Sequence, residues 1–174
     1  GRLTAAQLDD VVAFVRDDLG RDGAGTTTTT EARGRGSLKG IPPEIADAAA
    51  DDWPLPNHDY AGTRAASKPA ITSKTVDRLE LAWSYEAPGG GTFGNFSTTP
   101  LVIGNTIYVG DLTTQVHAID RRTGKQRWVS GKKASIFGPT GVGAGWGRIY
   151  GTTANADGKG TVVAAYDAKT GKQA

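Results

Sequence analysis

Two observations in the sequence predict an all-β fold: a partial β-propeller of about two blades, preceded by one α-helix and a linker. First, the pattern Ala-x-Asp-x-x-Thr-Gly-Lys-Gln occurs at residues 118–126 and again at residues 165–173, 47 positions later. Repeats of about 40 to 50 residues are typical of propeller blades. Second, short β-branched segments alternate with glycine-containing turns in the second half of the chain, which is the pattern of an all-β array.

The first predicted element is an amphipathic helix over residues 4–19, within a segment that spans residues 1–20. Thr4 and Gln7 have the spacing of a capping box, and Gly20 is a suitable C-terminal stop. One face of the helix is apolar and the polar side chains lie mostly opposite it. The apolar face consists of Leu8, Val11, Val12, Val15 and Leu19.

Residues 21–51 are predicted to form a flexible linker. The threonine run at residues 26–30 and the Arg-Gly-Arg-Gly sequence at residues 33–36 show no apolar periodicity. Segments of this composition bury too little apolar surface to fold alone. A short helix is predicted within residues 43–50, because Pro43 stands at a first-turn position that proline favours.

Residues 52–174 are predicted to form the β-propeller region, and each repeat in it contains an Asp-x-x-Thr-Gly turn. The aspartate can accept backbone N–H groups two or three residues later, and the glycine supplies the positive φ that closes the turn. Trp128 begins the next strand, and its size beside the small Ala118 suits a packing pair that covers the neighbouring blade. The repeat residues are Ala118, Asp120, Thr123, Gly124 and Trp128 in the first copy, and Ala165, Asp167, Thr170 and Gly171 in the second.

Composition excludes several functional classes. The 174 residues include 20 basic and 18 acidic side chains, and this net charge of +2 gives no electrostatic basis for nucleic-acid binding. No apolar run approaches the ~18 residues of a membrane span. The absence of cysteine excludes disulfides, covalently attached haem c and thiolate metal sites within these residues. Because the chain starts at Gly1, lacks methionine and stops within a repeat, we expect a piece of a longer protein.

The histidines and the turn aspartates predict no metal or catalytic site within this chain. His58 and His117 are 59 residues apart and lack the spacing of metal ligands. His117 lies in a strand candidate, so we expect a packed or edge side chain rather than a ligand. Asp111 lies in the predicted hairpin turn at residues 110–114 and is expected to be a turn residue.

The repeat resembles the tryptophan-docking motif of β-propellers that bind pyrroloquinoline quinone (PQQ), and also that of catalytically inert relatives. A second stretch resembles the opening of quinoprotein alcohol dehydrogenases. It consists of Asp52-Trp53, Asp59-Tyr60, Thr63-Arg64 and the spaced residues Ile71, Val76, Leu79 and Trp83. The resemblance covers about residues 52–174 and points to the dehydrogenase branch.

This resemblance implies a cofactor site at the starts of the inner strands, with contacts from Asn95, Ser97 and Thr140. Members of the family commonly carry a glutamate where this chain has Ser97, and the glutamate bonds the cofactor. Ser97 or Asn95 can donate to a quinone carboxylate or carbonyl instead; the alternative is that Ser97, Thr98 and Thr99 merely begin a strand. The family's catalytic aspartate and calcium or lanthanide ligands lie several blades later, so calcium is expected only in the full-length protein. The adjacent-cysteine disulfide of many members is absent.

The resemblance also implies a function. Residues 3–16 resemble the last helix of a c-type cytochrome domain, which implies haem c in a region upstream. Together these resemblances imply a fragment of a periplasmic or otherwise extracytoplasmic dehydrogenase that oxidises an alcohol or polyol with PQQ and passes electrons to a cytochrome c. The alternative is a non-catalytic β-propeller scaffold for protein–protein binding in the cell envelope, which Ser97 and the missing cysteine pair favour. An axial aspartate and metal-ligating residues beyond Ala174 would separate the two.

Overall fold

The computed structural model describes residues 40–66, 68–87, 94–96, 98–134 and 141–174. The predicted helix at residues 4–19 and two predicted cofactor contacts, Ser97 and Thr140, lie outside the described residues and stay predictions. The described residues form two antiparallel sheets, which confirms the predicted all-β class.

The first sheet has four strands that follow one another in space as they do in sequence. They are β1 (Leu101–Ile103), β2 (Thr106–Gly110), β3 (Val116–Asp120) and β4 (Gln126–Ser130). Trp128 pairs with Ala118 and Gln126 pairs with Ile119, so Arg127 is the extra residue of a β-bulge. Four antiparallel strands in sequential order are the arrangement of one propeller blade.

The second sheet repeats this arrangement with three strands. They are β5 (Gly143–Gly145), β6 (Arg148–Ala154) and β7 (Thr161–Asp167). Buried residues alternate with more exposed ones along β6, as expected where one face of a strand lies against the core. Gln173 forms an isolated bridge with Tyr166 on the free side of β7, where the first sheet has β4.

The hydrophobic core lies between the two sheets. Its buried members from the first sheet are Leu101, Tyr108, Val116, Ala118 and Trp128, and those from the second are Val142, Ile149, Ala164 and Tyr166. The sheets approach each other closely at Gly151, where an added Cβ would lie 2.5 Å from a methyl carbon of Val116. Glycine at this position therefore permits the close packing of the sheets.

Trp128 joins the two sheets through the Thr-Gly turn of the second repeat. Its indole Nε1–H donates to the carbonyl oxygen of Ala168 at 3.1 Å, and its ring lies against Gly171. The Tyr108 hydroxyl donates to the same carbonyl oxygen at 3.0 Å, and the Tyr108 and Trp128 rings lie 5.9 Å apart. This joint is the inter-sheet packing that the sequence predicted for Trp128.

Trp83 docks on the first sheet in the same way. Its Nε1–H donates to the carbonyl oxygen of Arg121 at 3.0 Å, and an added Cβ at Gly124 would lie 2.6 Å from its ring. Arg121 and Gly124 occupy the positions in the first repeat that Ala168 and Gly171 occupy in the second. Trp83 therefore has the same docking role as Trp128, one repeat earlier in the chain.

The segment before the sheets is attached to the β5–β6 turn by a short helix, α1 (Pro43–Ala46). Pro43 is the first residue of α1, as predicted for this position. The Glu44 carboxylate accepts the backbone N–H groups of Trp146 and Gly147. These contacts fasten the end of the predicted linker to the second sheet, while the domain boundary at residue 51 stays a prediction.

Residues 51–53 lie beside β1. Trp53 pairs with Val102 through two backbone hydrogen bonds of 2.7 and 2.9 Å. The Asp52 carboxylate accepts the backbone N–H of Gly104 at 2.9 Å. Farther along, residues 68–87 contain one 3-10 helix (Val76–Arg78) before Trp83.

Candidate functional site

The starts of the inner strands β1 and β5 lie next to each other in the structure. Residues 94–100 lead into β1, and residues 141–142 lead into β5. An added Cβ at Gly141 would lie 3.9 Å from the Thr98 hydroxyl oxygen, which is van der Waals distance. The chain thus brings together the two segments in which the cofactor contacts were predicted. We call this region, residues 94–96, 98–100 and 141–142, the inner-strand edge.

Asn95 has structural partners within the inner-strand edge. Its side-chain Nδ2–H donates to the carbonyl oxygen of Ala87 at 3.0 Å, and its own backbone carbonyl accepts the N–H of Leu112 at 3.1 Å. One amide hydrogen and the amide oxygen of Asn95 are not needed for these contacts. Its contact with a cofactor therefore stays a prediction, as do those of Ser97 and Thr140.

A buried hydrogen-bonded cluster lies directly beneath this edge. His117 is fully buried in β3, and its Nε2 lies 2.9 Å from an Asp111 carboxylate oxygen. Its other ring nitrogen, Nδ1, lies 2.8 Å from the Tyr85 hydroxyl. An ionised carboxylate only accepts hydrogen bonds, so the His117 Nε2 atom carries the hydrogen.

Asp111 is ionised in this cluster. Burial raises the pKa of its carboxyl group, but hydrogen bonds from His117, from the backbone of Gln115 and from Thr113 outweigh burial, and the net pKa lies below its usual value. The Tyr85 hydroxyl responds in the opposite sense, since burial first and the Asp111 charge second raise its pKa. Tyr85 is therefore protonated at neutral pH.

The aspartates of the two repeat turns hold their turns in the same way. Asp120 accepts the backbone N–H groups of Arg122 and Thr123, and Asp167 accepts those of Lys169 and Thr170. The Arg127 guanidinium and the Thr123 hydroxyl hold the pKa of the Asp120 carboxyl well below its usual value. Hydrogen bonds from Thr170 lower the pKa of Asp167 in the same way. These carboxylates hold the turns at the end of the sheets away from Asp111.

The donor set of the inner-strand edge suits an anionic, carbonyl-bearing ligand such as a quinone. Its described polar side chains, Asn95, Thr98 and Thr99, are neutral amide and hydroxyl groups. The carboxylate of Asp111, in the turn that bonds the Asn95 backbone, is only 1% exposed and accepts donors from within the protein. Neutral donors at the edge and an inward-facing, hydrogen-bonded carboxylate are compatible with PQQ, whose carboxylates need donors.

No metal centre is visible among the residues that the structure describes. They contain no group of three histidine or acidic side chains that could hold an ion. His58 lies apart from His117 and packs against the Trp53 ring, 4.7 Å between centroids. Its Nδ1 lies within 3.4 Å of side-chain oxygens of Asp59 and Thr63. Hydrogen bonds from the Thr63 hydroxyl and the Thr63 backbone N–H lower the pKa of Asp59 to about 2.

The sequence analysis missed the part that Tyr85 has in the buried cluster. It assigned Asp111 to a turn and expected His117 to be a packed or edge side chain; Asp111 lies in the turn and His117 is packed. Tyr85 is 32 residues before His117 in the sequence, and no local pattern links the two. A signal did exist, because Tyr85 stands two positions after Trp83 as Ser130 does after Trp128, and Ser130 also contacts the next sheet through Gly171.

Comparison with known proteins gives a consistent family match. Residues 53–143 match the family described as "Glucose/ethanol/alcohol dehydrogenase, beta-propeller domain". Quinohemoprotein alcohol dehydrogenase of Comamonas testosteroni is 41% identical over 81 residues, which are 47% of this chain and 11% of that protein. The 1-butanol dehydrogenase (cytochrome c) of Thauera butanivorans is 31% identical over 135 residues, 72% of this chain and 18% of that protein.

The structural comparison agrees with the sequence comparison. The crystal structure of the Comamonas testosteroni enzyme aligns with a TM-score of 0.58 and 33% identity, over 75% of this chain and 20% of that structure. The chain therefore spans between about a tenth and a fifth of the length of these relatives.

Proposed function

Since the chain belongs to the β-propeller domain family of glucose, ethanol and alcohol dehydrogenases, we propose that it forms part of a PQQ-dependent dehydrogenase for an alcohol or polyol. The observation that carries this proposal is the approach of the Thr98 hydroxyl to Gly141, because it joins the starts of two inner strands into one edge. The relatives that support it include a quinohemoprotein alcohol dehydrogenase and a 1-butanol dehydrogenase (cytochrome c).

The residues of this chain would bind and orient the cofactor rather than react. When bound, PQQ supplies a two-electron acceptor for the oxidation of an alcohol to a carbonyl compound. The second amide hydrogen of Asn95 and the Thr98 hydroxyl, which would leave its long 3.5 Å bond to the Thr99 carbonyl oxygen, are proposed as donors to the PQQ oxygen atoms. Ser97 and Thr140 complete the proposed set. No proton transfer is assigned to a side chain of this chain.

Electron transfer to a cytochrome c and a periplasmic location are further parts of the proposal. The name of the Thauera butanivorans relative includes cytochrome c, and the predicted helix at residues 4–19 resembles the end of a cytochrome domain. No helix within the described residues has the length and apolar character needed to cross a bilayer. Calcium would accompany PQQ in the full-length protein, with ligands from outside this chain.

A non-catalytic propeller scaffold is the competing function, and two sequence features favour it. Ser97 stands where a glutamate commonly bonds the cofactor, and the chain has no cysteine to form the disulfide of many family members. The scaffold and the enzyme share a fold, so only cofactor binding separates them.

Titration of the full-length protein with PQQ and calcium tests the proposal. We expect saturable binding, followed by absorbance, and dye-linked oxidation of primary alcohols. Thr98→Val should weaken PQQ binding about threefold to tenfold, the size of one lost hydrogen bond. Thr161→Val, an exposed substitution in β7, is the matched control and should leave affinity unchanged. A folded protein that binds no PQQ would support the scaffold instead.

A further inference from the structure

The segment of the inner-strand edge that leads into β1 is attached to one turn, residues 111–115 between β2 and β3. We propose that the buried pair Asp111 and His117 is a positioning pair, which holds this turn and through it the Asn95 segment that would contact the cofactor. The inference rests on the proposed function, since it assigns the pair a part in binding PQQ. Neither side chain touches the cofactor in this proposal.

On one side, the turn holds the segment that leads into β1. The Leu112 N–H donates to the carbonyl oxygen of Asn95 at 3.1 Å. The Asn95 side chain in turn donates to the carbonyl oxygen of Ala87 at 3.0 Å. Asn95 is therefore held between the turn and residues 85–87, the segment that carries Tyr85. A shift of the turn would move Asn95 and the residues that follow it toward Thr98.

On the other side, the turn holds the connection between the two sheets. The Thr114 hydroxyl donates to the carbonyl oxygen of Lys132 at 2.8 Å, and the Ala134 N–H donates to the carbonyl oxygen of Thr113 at 3.0 Å. Gln115 adds a bond from its amide to the carbonyl oxygen of Gly131 at 3.1 Å. The turn therefore also holds residues 131–134, which follow β4.

The carboxylate of Asp111 holds the turn from inside. One of its oxygens accepts the backbone N–H groups of Thr113 and Gln115, both at 2.8 Å, and the other lies 2.9 Å from His117 Nε2. Thr114 in this turn has φ +64°, a left-handed conformation that β-branched residues rarely adopt. Such a conformation persists only where surrounding bonds define it, and the Asp111 bonds do so here.

His117 connects this carboxylate to the segment at residues 85–87. Asp111 and His117 are 1% and 0% exposed, so their hydrogen bond is protected from water. The Tyr85 hydroxyl lies 2.8 Å from His117 Nδ1, and Ala87, two residues later, bonds Asn95. The segment at residues 85–87 and the 111–115 turn thus hold Asn95 from two directions. The pair therefore acts without touching the ligand: it holds the turn that fixes the position of Asn95.

The test compares two His117 variants of the full-length protein. His117→Leu removes the donor to Asp111 and keeps the side chain apolar and of similar size. His117→Gln retains an amide N–H near the former Nε2 position and is the conservative variant. We expect His117→Leu to weaken PQQ affinity about tenfold, the size typical of lost outer-shell support, and His117→Gln to recover most of it.

Tyr108→Phe is the control for a general loss of stability. It removes a buried hydroxyl that donates to the Ala168 carbonyl at the other end of the sheets. We expect it to lower the urea midpoint without changing PQQ affinity. If Tyr108→Phe and His117→Leu weaken PQQ binding equally at matched stability, the positioning role is wrong.

Amide hydrogen exchange tests the same pair without the cofactor. His117→Leu should speed exchange at Leu112, whose N–H attaches the Asn95 segment, and at Ala134, whose N–H bonds the turn, and should leave Gly124 and Gly171 at the opposite end unchanged. Unchanged exchange at Leu112 and Ala134 would overturn the inference. If the wild-type protein binds no PQQ, the proposed function fails, and exchange alone then decides whether the pair holds the turn and the Asn95 segment.

Discussion

Gly124 and Gly171 show how a single residue type satisfies two demands at once. Their φ angles of +69° and +71° close the two Asp-x-x-Thr-Gly turns. An added Cβ at Gly171 would also lie 2.7 Å from the Trp128 ring, and the same holds for Gly124 and Trp83 at 2.6 Å. The glycine of each repeat therefore closes a turn and leaves space for a tryptophan from the preceding unit.

Substitution of Gly171 separates these two demands. Gly158 has the same φ of +71° but no atom within 4 Å of an added Cβ, so it is a matched control. Gly158→Ala should cost about 1–2 kcal/mol of unfolding free energy from backbone strain alone. Gly171→Ala should cost about 1–3 kcal/mol more from overpacking against Trp128. Equal costs in urea unfolding of the full-length protein would show that the tryptophan contact imposes no constraint.

At the scale of elements, the fourth strand of one unit is joined to the Asp-x-x-Thr-Gly turn of the next. Trp128 lies in β4, pairs with Ala118 in its own sheet and donates to Ala168 in the following one. Ser130, two residues later on the same strand, donates to the carbonyl oxygen of Gly171. These contacts explain why the motif recurs, since each copy receives the tryptophan of the copy before it.

Truncation of Trp128 tests this joint. Trp128→Ala should lower the unfolding free energy by about 3–5 kcal/mol, because it empties a buried site and removes a bond to Ala168. Trp53→Ala should cost less, since the Trp53 ring is only half-buried and its pairing with Val102 uses the backbone. Urea unfolding of the two variants in the full-length protein ranks them. The opposite ranking would contradict the docking role.

At the scale of the whole molecule, the aspartates in the turns make the free energy of unfolding depend on pH. Asp111, Asp120 and Asp167 all have pKa values below the usual one, because each accepts hydrogen bonds within its turn. A group whose pKa is lower in the folded than in the unfolded state contributes stability above its unfolded pKa, about 3.9. That contribution is lost as the pH falls through the folded-state pKa.

We therefore expect the unfolding free energy to be steady from pH 7 to about pH 5 and to decline below about pH 4. Asp111→Asn should reduce this decline, since the asparagine does not titrate. Urea midpoints measured across this range check the prediction. A decline that begins near pH 6 in both proteins would contradict the prediction.

The candidate site was predictable from the sequence only in part. Asn95 was predicted from its place in the chain, and the structure adds that its amide is bonded to Ala87. The approach of Thr98 to Gly141 was not predictable, because 42 residues, including the whole first sheet, lie between them. The hydrogen bond between Tyr85 and His117 was unpredictable for the same reason, because it joins two segments that no local periodicity connects.

The sequence by itself determined the class of fold, the repeat and the chemistry of its turns. These features depend on local preferences, such as β-branched strands and Asp-x-x-Thr-Gly turns, that are readable at short range. Only the tertiary structure decided which turn each tryptophan covers, that Asp111 and His117 are buried together, and that Glu44 attaches to the β5–β6 turn. Those outcomes depend on how distant segments pack, since burial and long-range hydrogen bonds arise only when the sheets come together.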